Sequence, residues 1–304
     1  MRYSAGALFN GYTTGPTVGE IMREITVEVE LGPNEPMYIT PYSDVHFDSR
    51  DHDTGWSKHY AKRAALPNSH FLNLGDFGNL VMPRDMKRHT PSTPRDGYAE
   101  RDDYINKFLY DVEHAIKKEP ATWDLWCLGN HEVSVLKHHS IDVASLIADR
   151  LGVNYGSYSG HLYYRIIPKG RKKDTRLLHI LYHHGAWGGV VVEGRAGAMR
   201  WALDQGGWHI MVYGHNHRLS STARPYWQSG PIKSQSFTRF FVNTGTWQKT
   251  LSREGSPDYA EQRGLPMSPI GTPLIKVWFE RHNTRNTELH YSVETESWVA
   301  AHER

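Results

Sequence analysis

A single cysteine, Cys127, stands in a chain of 304 residues. No internal disulfide can form, so the fold does not depend on one. The run Trp123-Asp124-Leu125-Trp126-Cys127-Leu128 reads as a buried strand, with the thiol as a small core group. Long apolar runs are missing too. Nowhere do eighteen apolar residues follow one another, which excludes an ordinary transmembrane helix. Residues 1–20 hold no apolar stretch of signal-peptide length, so a cytoplasmic protein without membrane contact is expected. Neither sign of charge dominates. Against 33 acidic residues stand 35 basic ones, a net charge of +2, which neither demands nor excludes a nucleic-acid partner. Internal repeats and low-complexity tracts are absent, and no clean linker divides the chain. The expectation is one domain over residues 1–304, with 1–35 as a lead-in and 81–97 as a long loop beside the active site.

What the chain does have is histidine, 19 in all, and an ordered set of short polar motifs. These are Asp44-Val45-His46, Gly75-Asp76, Gly129-Asn130-His131-Glu132, His183-His184-Gly185 and Gly214-His215-Asn216-His217. Six histidines fall in them: His46, His131, His183, His184, His215 and His217. The remaining ones, such as His52, His59, His138, His139 and His282, lie in polar contexts and are expected on the surface.

Each motif falls where an apolar run ends. Met37 to Tyr42, Ser69 to Leu74, Trp123 to Leu128, Arg176 to Tyr182 and Trp208 to Tyr213 read as strands. Ile25 to Leu31 alternates apolar and acidic residues, as a half-exposed strand does, and His161 to Ile167 reads as another. Helices are expected over 55–66, 98–119, 141–151 and 190–205; the second shows Ile105, Phe108, Leu109, Val112 and Ile116 at helical spacing. Phe240 to Val242, Leu274 to Phe279 and Glu288 to Val293 are expected as strands of a second sheet. Pro41 predicts a bulge or an early end to its strand, because it cannot donate to a ladder.

In open α/β sheets, sites form beyond the carboxyl ends of the strands. Ligands far apart in sequence can therefore meet in one crevice without a Cys-rich motif. Carboxylate and imidazole together suit Mn, Fe, Zn, Co or Ni better than Ca or a thiophilic metal. Two such ions, about 3.5–4 Å apart, form a clamp for displacement at phosphorus.

In order and spacing, the five motifs resemble those of the calcineurin-like metallophosphoesterase superfamily. The resemblance spans Asp44 to His217. It implies an α/β fold, a four-layer αββα sandwich of two mixed sheets flanked by helices. It implies two divalent or trivalent metal ions. Asp44, His46 and His217 would bind one, Asn130, His184 and His215 the other, and Asp76 would bridge both. His131 would contact the phosphate and protonate the leaving oxygen, and the nucleophile would be a metal-bridging hydroxide. His184 is chosen over His183 because it precedes Gly185. His183 would face the other way along a strand. Asn79 departs from the pattern, standing where many relatives place a second acidic residue.

The activity expected is hydrolysis of a phosphate ester, a phosphodiester for preference, with nucleotides and nucleic acid compatible. A phosphomonoesterase or protein phosphatase is the alternative within the class, and a non-catalytic scaffold of the same fold is the alternative outside it. A sequence-tolerant nuclease would need a basic groove, with affinity falling as salt rises. Lys87 and Arg88 follow Asp76 in the long loop and are candidates for gripping a substrate phosphate. Trp187, Trp201, Trp208 and Trp247 lie near motifs and are candidates for stacking on a base.

Overall fold

The strands that carry the motifs lie side by side in two sheets, as a computed structural model describing residues 22–82, 94–98, 101–187, 193–228, 235–250, 268–281 and 287–298 shows. Lys87 and Arg88, most of the 81–97 loop and His282 lie outside the described residues. The strands are β1 (Arg23–Leu31), β2 (Met37–Tyr42), β3 (Ser69–Asn73), β4 (Thr122–Cys127), β5 (Asn154–Ser157), β6 (Ser159–Pro168), β7 (Arg176–His183), β8 (Ile210–Tyr213), β9 (Leu219–Gln228), β10 (Gln235–Thr244), β11 (Gly271–Arg281) and β12 (Thr287–Ser297). The α-helices are α1 (Gly55–Ala64), α2 (Tyr104–Lys117), α3 (Asn130–His139), α4 (Val143–Leu151) and α5 (Glu193–Leu203). One sheet runs β1-β6-β7-β8-β10-β9 and the other β12-β11-β2-β3-β4-β5. Both are mixed: β2 to β5 are mutually parallel, while β11 is antiparallel to both β2 and β12. Among the described residues, no helix is long and apolar enough to cross a membrane.

Three apolar layers separate the elements. Between the sheets, Leu31, Leu162, Ile180 and Val212 of the first sheet meet Ile39, Leu72, Leu125 and Ile275 of the second. Cys127 lies in this layer, buried as its setting predicts. Outside the second sheet, Tyr42, Phe71, Trp123 and Trp126 pack against Trp56, Tyr60, Phe108, Val112 and Ile147 from α1, α2 and α4. Outside the first sheet, Leu181, Met211 and Phe241 pack on Ala198 and Ala202 of α5. Helix, sheet, sheet, helix is the four-layer αββα sandwich that the resemblance implies.

Several expectations are corrected. The strands of the last third do not form a sheet of their own. β10 joins β8 in the first sheet, and β11 and β12 extend the second beside β2. Pro41 neither bulges nor ends β2. The ladder to β11 covers only Met37 to Ile39, so at Pro41 no N–H is required on that side, and its carbonyl accepts the Thr272 hydroxyl at 2.6 Å. One bulge lies in β4 instead, and the register shifts again between β4 and β5. Register shifts at Asp124, which places Trp123 against the helices and Leu125 between the sheets. α2 starts at Tyr104 rather than at residue 98, because Tyr98 is held in a turn and donates its hydroxyl to Asp111 at 2.6 Å. Two expected surface histidines are buried. His59 pairs with the Tyr42 hydroxyl at 2.8 Å, and His52 donates from Nδ1 to the Val45 carbonyl at 2.9 Å.

Candidate metal centre

All five motifs leave their strands at the same end of the sandwich and are stitched together by main-chain hydrogen bonds. Asp44 N–H donates to Gly75 O at 3.1 Å, His46 N–H to Asp76 O at 3.2 Å, and Gly214 N–H to His184 O at 2.8 Å. Across the two sheets, His215 N–H donates to Asp44 Oδ2 at 2.8 Å. Such close approach requires glycine. A Cβ on Gly129 would run into the Asp76 carboxylate and main chain, and one on Gly214 into Ser43 Oγ and the Asp44 carboxylate.

Asp44 (φ 51°), His46 (48°), Asp76 (51°), His215 (73°) and His217 (56°) adopt the left-handed region. The only other described non-glycine residues with positive φ are Asn34, Asn68, Leu80, Ser140 and Ser157. Such backbone costs about 1–3 kcal/mol per residue and persists where the surroundings over-determine it. Here it turns successive side chains toward one point.

The predicted ligands, with the predicted phosphate-contacting His131 beside them, converge into overlapping groups: Asp44 with His46 and His217, His46 with Asp76 and His131, and Asp76 with His184 and His215. Within each group the ligand atoms all lie within 4.8 Å of one another. Asn130 Oδ1 completes the last group, 2.7 Å from His215 Nδ1 and 3.1 Å from His184 Nε2.

The donor set fits cations. His184 Nδ1–H donates to the Leu74 carbonyl at 2.9 Å, which aims Nε2 at two oxygens, Asp76 Oδ2 at 3.2 Å and Asn130 Oδ1 at 3.1 Å. A neutral imidazole would face both with a lone pair, so a proton or a metal must lie between. In the metal-free chain the proton takes that place. Burial pushes the His184 pKa down, but the Asp76 carboxylate outweighs it and lifts it to about 9. His46 Nε2 and His217 Nε2 face each other at 3.3 Å, a contact that likewise needs a shared proton or a cation. Asp44 Oδ1 is buried without a hydrogen-bond partner, although His217 Nε2 lies 3.3 Å away. Burial alone would raise the pKa of both carboxyls. For Asp44, the His217 contact and the nearby imidazoles prevail and hold it at about 2. Asp76 is held well below the usual range by His184 and His131. His46 is pushed well down by burial and by His131 and His217, so it offers a neutral nitrogen.

His131 lies at the N-terminus of α3, half-buried beside the groups above. Its main-chain N–H donates to Asp76 Oδ1 at 2.8 Å. Its ring Nδ1–H donates to the Asn79 carbonyl. Nε2 therefore faces the ligand cluster, 4.0 Å from Asp76 Oδ2. His183 does turn away, as the strand alternation predicts: it packs on Trp187 and Trp201, each with ring centroids 4.7 Å from its own. Trp208 and Trp247 are fully buried and so are unavailable for stacking on a substrate.

Supporting residues escaped the sequence reading. Glu132, wholly buried, accepts the N–H groups of Asp76 and Gly129 at 2.9 Å and of Gly78 at 3.3 Å. It thus ties the second motif to the third, and its place as the last letter of Gly-Asn-His-Glu was the available clue. Ser43 donates to Asp44 Oδ2 and pairs with the Thr244 hydroxyl at 2.6 Å. Thr246 Oγ1 donates to Asp44 O at 2.9 Å. Nothing in the sequence marked Ser43, Thr244 or Thr246.

Two mixed sheets face to face, helices outside and five motif-bearing loops at one end make a four-layer sandwich with the candidate centre at its rim. No protein-family model matches the chain, and no curated protein matches it in sequence. Among solved structures it is similar to vacuolar protein sorting 29 from Cryptosporidium parvum, at 12% identity and a TM-score of 0.39, over 86% of this chain and 100% of that one. It is also similar to Vps29 from Entamoeba histolytica complexed with Zn+2, at 11% identity and a TM-score of 0.35, over 84% of this chain and 99% of that one. GAP50, the anchor in the inner membrane complex of Plasmodium, is 7% identical with a TM-score of 0.37, over 87% of this chain and 90% of that one.

Proposed function

We propose that this protein is a metal-dependent phosphoesterase with a two-ion centre, and that it prefers phosphodiesters. The observation that carries the reading is the pair of oxygen-and-nitrogen donor groups meeting at Asp76, with His131 beside them. Asp44, His46 and His217 would hold one ion, Asn130, His184 and His215 the other, with Asp76 between. When bound, the ions supply Lewis acidity and neutralise charge on the phosphoryl oxygens.

The chain's own residues do the rest. Asp76 and Asp44 remain ionised at neutral pH, so they bring fixed negative charge to the ions. His131 donates from Nδ1 to Asn79 O, which leaves Nε2 to carry a proton to the departing oxygen. Asn130 Oδ1 lies 2.7 Å from His215 Nδ1 and 3.1 Å from His184 Nε2, so these three donors would face one ion. Preference for a diester rests on the Gly214-His215-Asn216-His217 ending and on the slightly basic charge balance.

The test is paired hydrolysis of bis-4-nitrophenyl phosphate and 4-nitrophenyl phosphate by protein loaded in turn with Mn, Fe, Zn, Co or Ni, with Asp76→Asn as control. Diester preference that disappears in the variant is the expected result. Monoester preference would move the substrate class to phosphomonoesters. Full metal loading with no turnover of either ester would refute the enzymatic reading and favour a scaffold.

A further inference from the structure

His131 is held at Nδ1 by main chain rather than by a side chain. The acceptor for His131 Nδ1–H is the main-chain carbonyl of Asn79. A carbonyl on a loop positions an imidazole only if the loop itself is fixed. Asp48 fixes it. Its buried carboxylate accepts the N–H of Asn79 at 2.5 Å through Oδ1 and the N–H of Leu80 at 2.9 Å through Oδ2. The Tyr104 hydroxyl donates to Oδ2 at 2.5 Å. Leu80 sits at φ 48°, a strained value for a bulky side chain, and the carboxylate grips the peptides on either side of Asn79. Upstream, Glu132 holds the N–H groups of Asp76 and Gly78. The buried carboxyl groups of Asp48 and Glu132 therefore clamp the segment from Asp76 to Leu80 at four main-chain donors.

We propose that Asp48 is the positioning residue of His131, acting through the Asn79 main chain, and that the Asn79 side chain has no part in holding the ring. Among the described residues, Asp48 is joined by hydrogen bonds to Asn79, Leu80, Tyr104 and Arg95, and by none to a predicted metal-ligand side chain or to His131. Its effect passes through one peptide unit, which it aims. The consequence for chemistry rests on the phosphoesterase reading: with the carbonyl misaimed, the imidazole loses its fixed tautomer and Nε2 no longer presents a proton to the leaving oxygen.

The test separates the two readings. Long-range ¹H–¹⁵N spectra of metal-free, histidine-labelled protein report the tautomer of each ring, with His131→Gln identifying the resonance. The spectra need no activity, so they decide the positioning role even if no ester is hydrolysed. The expected result is a single Nδ1–H tautomer for His131 in the natural chain and in Asn79→Ala, and a tautomer mixture in Asp48→Asn. With active protein, Asp48→Asn should slow methyl phenyl phosphate by about 10–100-fold, the usual effect of losing a supporting partner. Methyl 4-nitrophenyl phosphate, whose leaving group needs no proton, should slow by less than about threefold. A merely structural defect would slow both esters alike. An unchanged single tautomer in Asp48→Asn, or its loss in Asn79→Ala, would overturn the proposal. Should Asp48→Asn fail to fold, the Asn79→Ala spectrum alone decides: the tautomer kept supports the main-chain acceptor, the tautomer lost rejects it.

Discussion

Replacing Glu132 by alanine tests whether the loops are held by a buried carboxyl rather than by the metals alone. The side chain accepts three main-chain N–H groups, from Asp76, Gly129 and Gly78, and it is almost fully shielded from water. Leaving a buried donor without a partner costs about 1–3 kcal/mol. Three such donors set the gross loss. Opposing it is the cost that the carboxyl itself bears: burial, followed by repulsion from Asp76, pushes its pKa up to about 8, so at neutral pH it is held against its ordinary ionisation. Water entering the new cavity recovers part of the loss as well. The net expectation for Glu132→Ala is about 2–4 kcal/mol of destabilisation. Glu132→Gln keeps one acceptor oxygen and turns an amide N–H₂ toward a main-chain N–H, so it should fall between the natural chain and Glu132→Ala. Urea unfolding of chelator-treated protein measures both, with unchanged m-values as the check on a common transition. Metal titration should show weaker binding by about 10–100-fold, since the peptides that carry Asp76 and Asn130 lose their anchor. An unfolding midpoint for Glu132→Ala equivalent to within about 0.5 kcal/mol of the natural chain would refute the reasoning.

Other outcomes follow from the same geometry. Adding Mn²⁺ or Zn²⁺ to chelator-treated protein should raise the thermal midpoint by roughly 5–10 °C at a hundredfold excess over Kd, and Asp76→Asn should abolish most of that rise in a calorimetric scan. Gly214→Ala forces a methyl into Ser43 and the Asp44 carboxylate, so its unfolding free energy should drop by about 1–3 kcal/mol and its metal content, by elemental analysis, should drop with it. Burial holds His52 at about 4 and His59 at about 3, with neighbouring cations adding to the effect. Both lie below the unfolded value of about 6.5, so the unfolded chain binds more protons between those limits and stability falls as pH drops from about 6.5 toward 4. Urea midpoints of metal-free protein should show that slope, reduced in His59→Gln; a flat profile over the window would count against the buried neutral histidines.

The legible parts of the chain share a physical cause. β2, β3, β4 and β8 are central strands covered on both faces, so they read as short apolar runs, and each stops just before a motif with a candidate ligand. That is why Asp44, Asp76, Asn130 and His215 could be placed at strand ends before any coordinates. Partition of the strands between sheets was not legible, because periodicity marks a strand but not its neighbour. β9 escaped notice for a related reason: it is an edge strand of mostly polar residues with Pro225 inside it, and only an edge tolerates that. α3 was hidden because it buries just Glu132 and Val135 and so carries no apolar stripe.

His52 and His59 looked like surface residues because each sits among charged neighbours in sequence. In space they meet Val45 O and the Tyr42 hydroxyl from distant segments. The same distinction separates the ligands from what supports them. A ligand must be Asp, His or Asn at a strand end, and that leaves a pattern. A support such as Asp48 or Glu132 needs only to place an oxygen near several main-chain N–H groups, a condition that any carboxylate in the right place meets. The candidate ligands are therefore written in residue type and spacing, whereas the rigidity that holds them together is written in contacts between segments. The five left-handed candidate ligands are where the two meet: their strain turns the side chains inward, and the buried carboxyl groups and glycine contacts around them keep that backbone from relaxing.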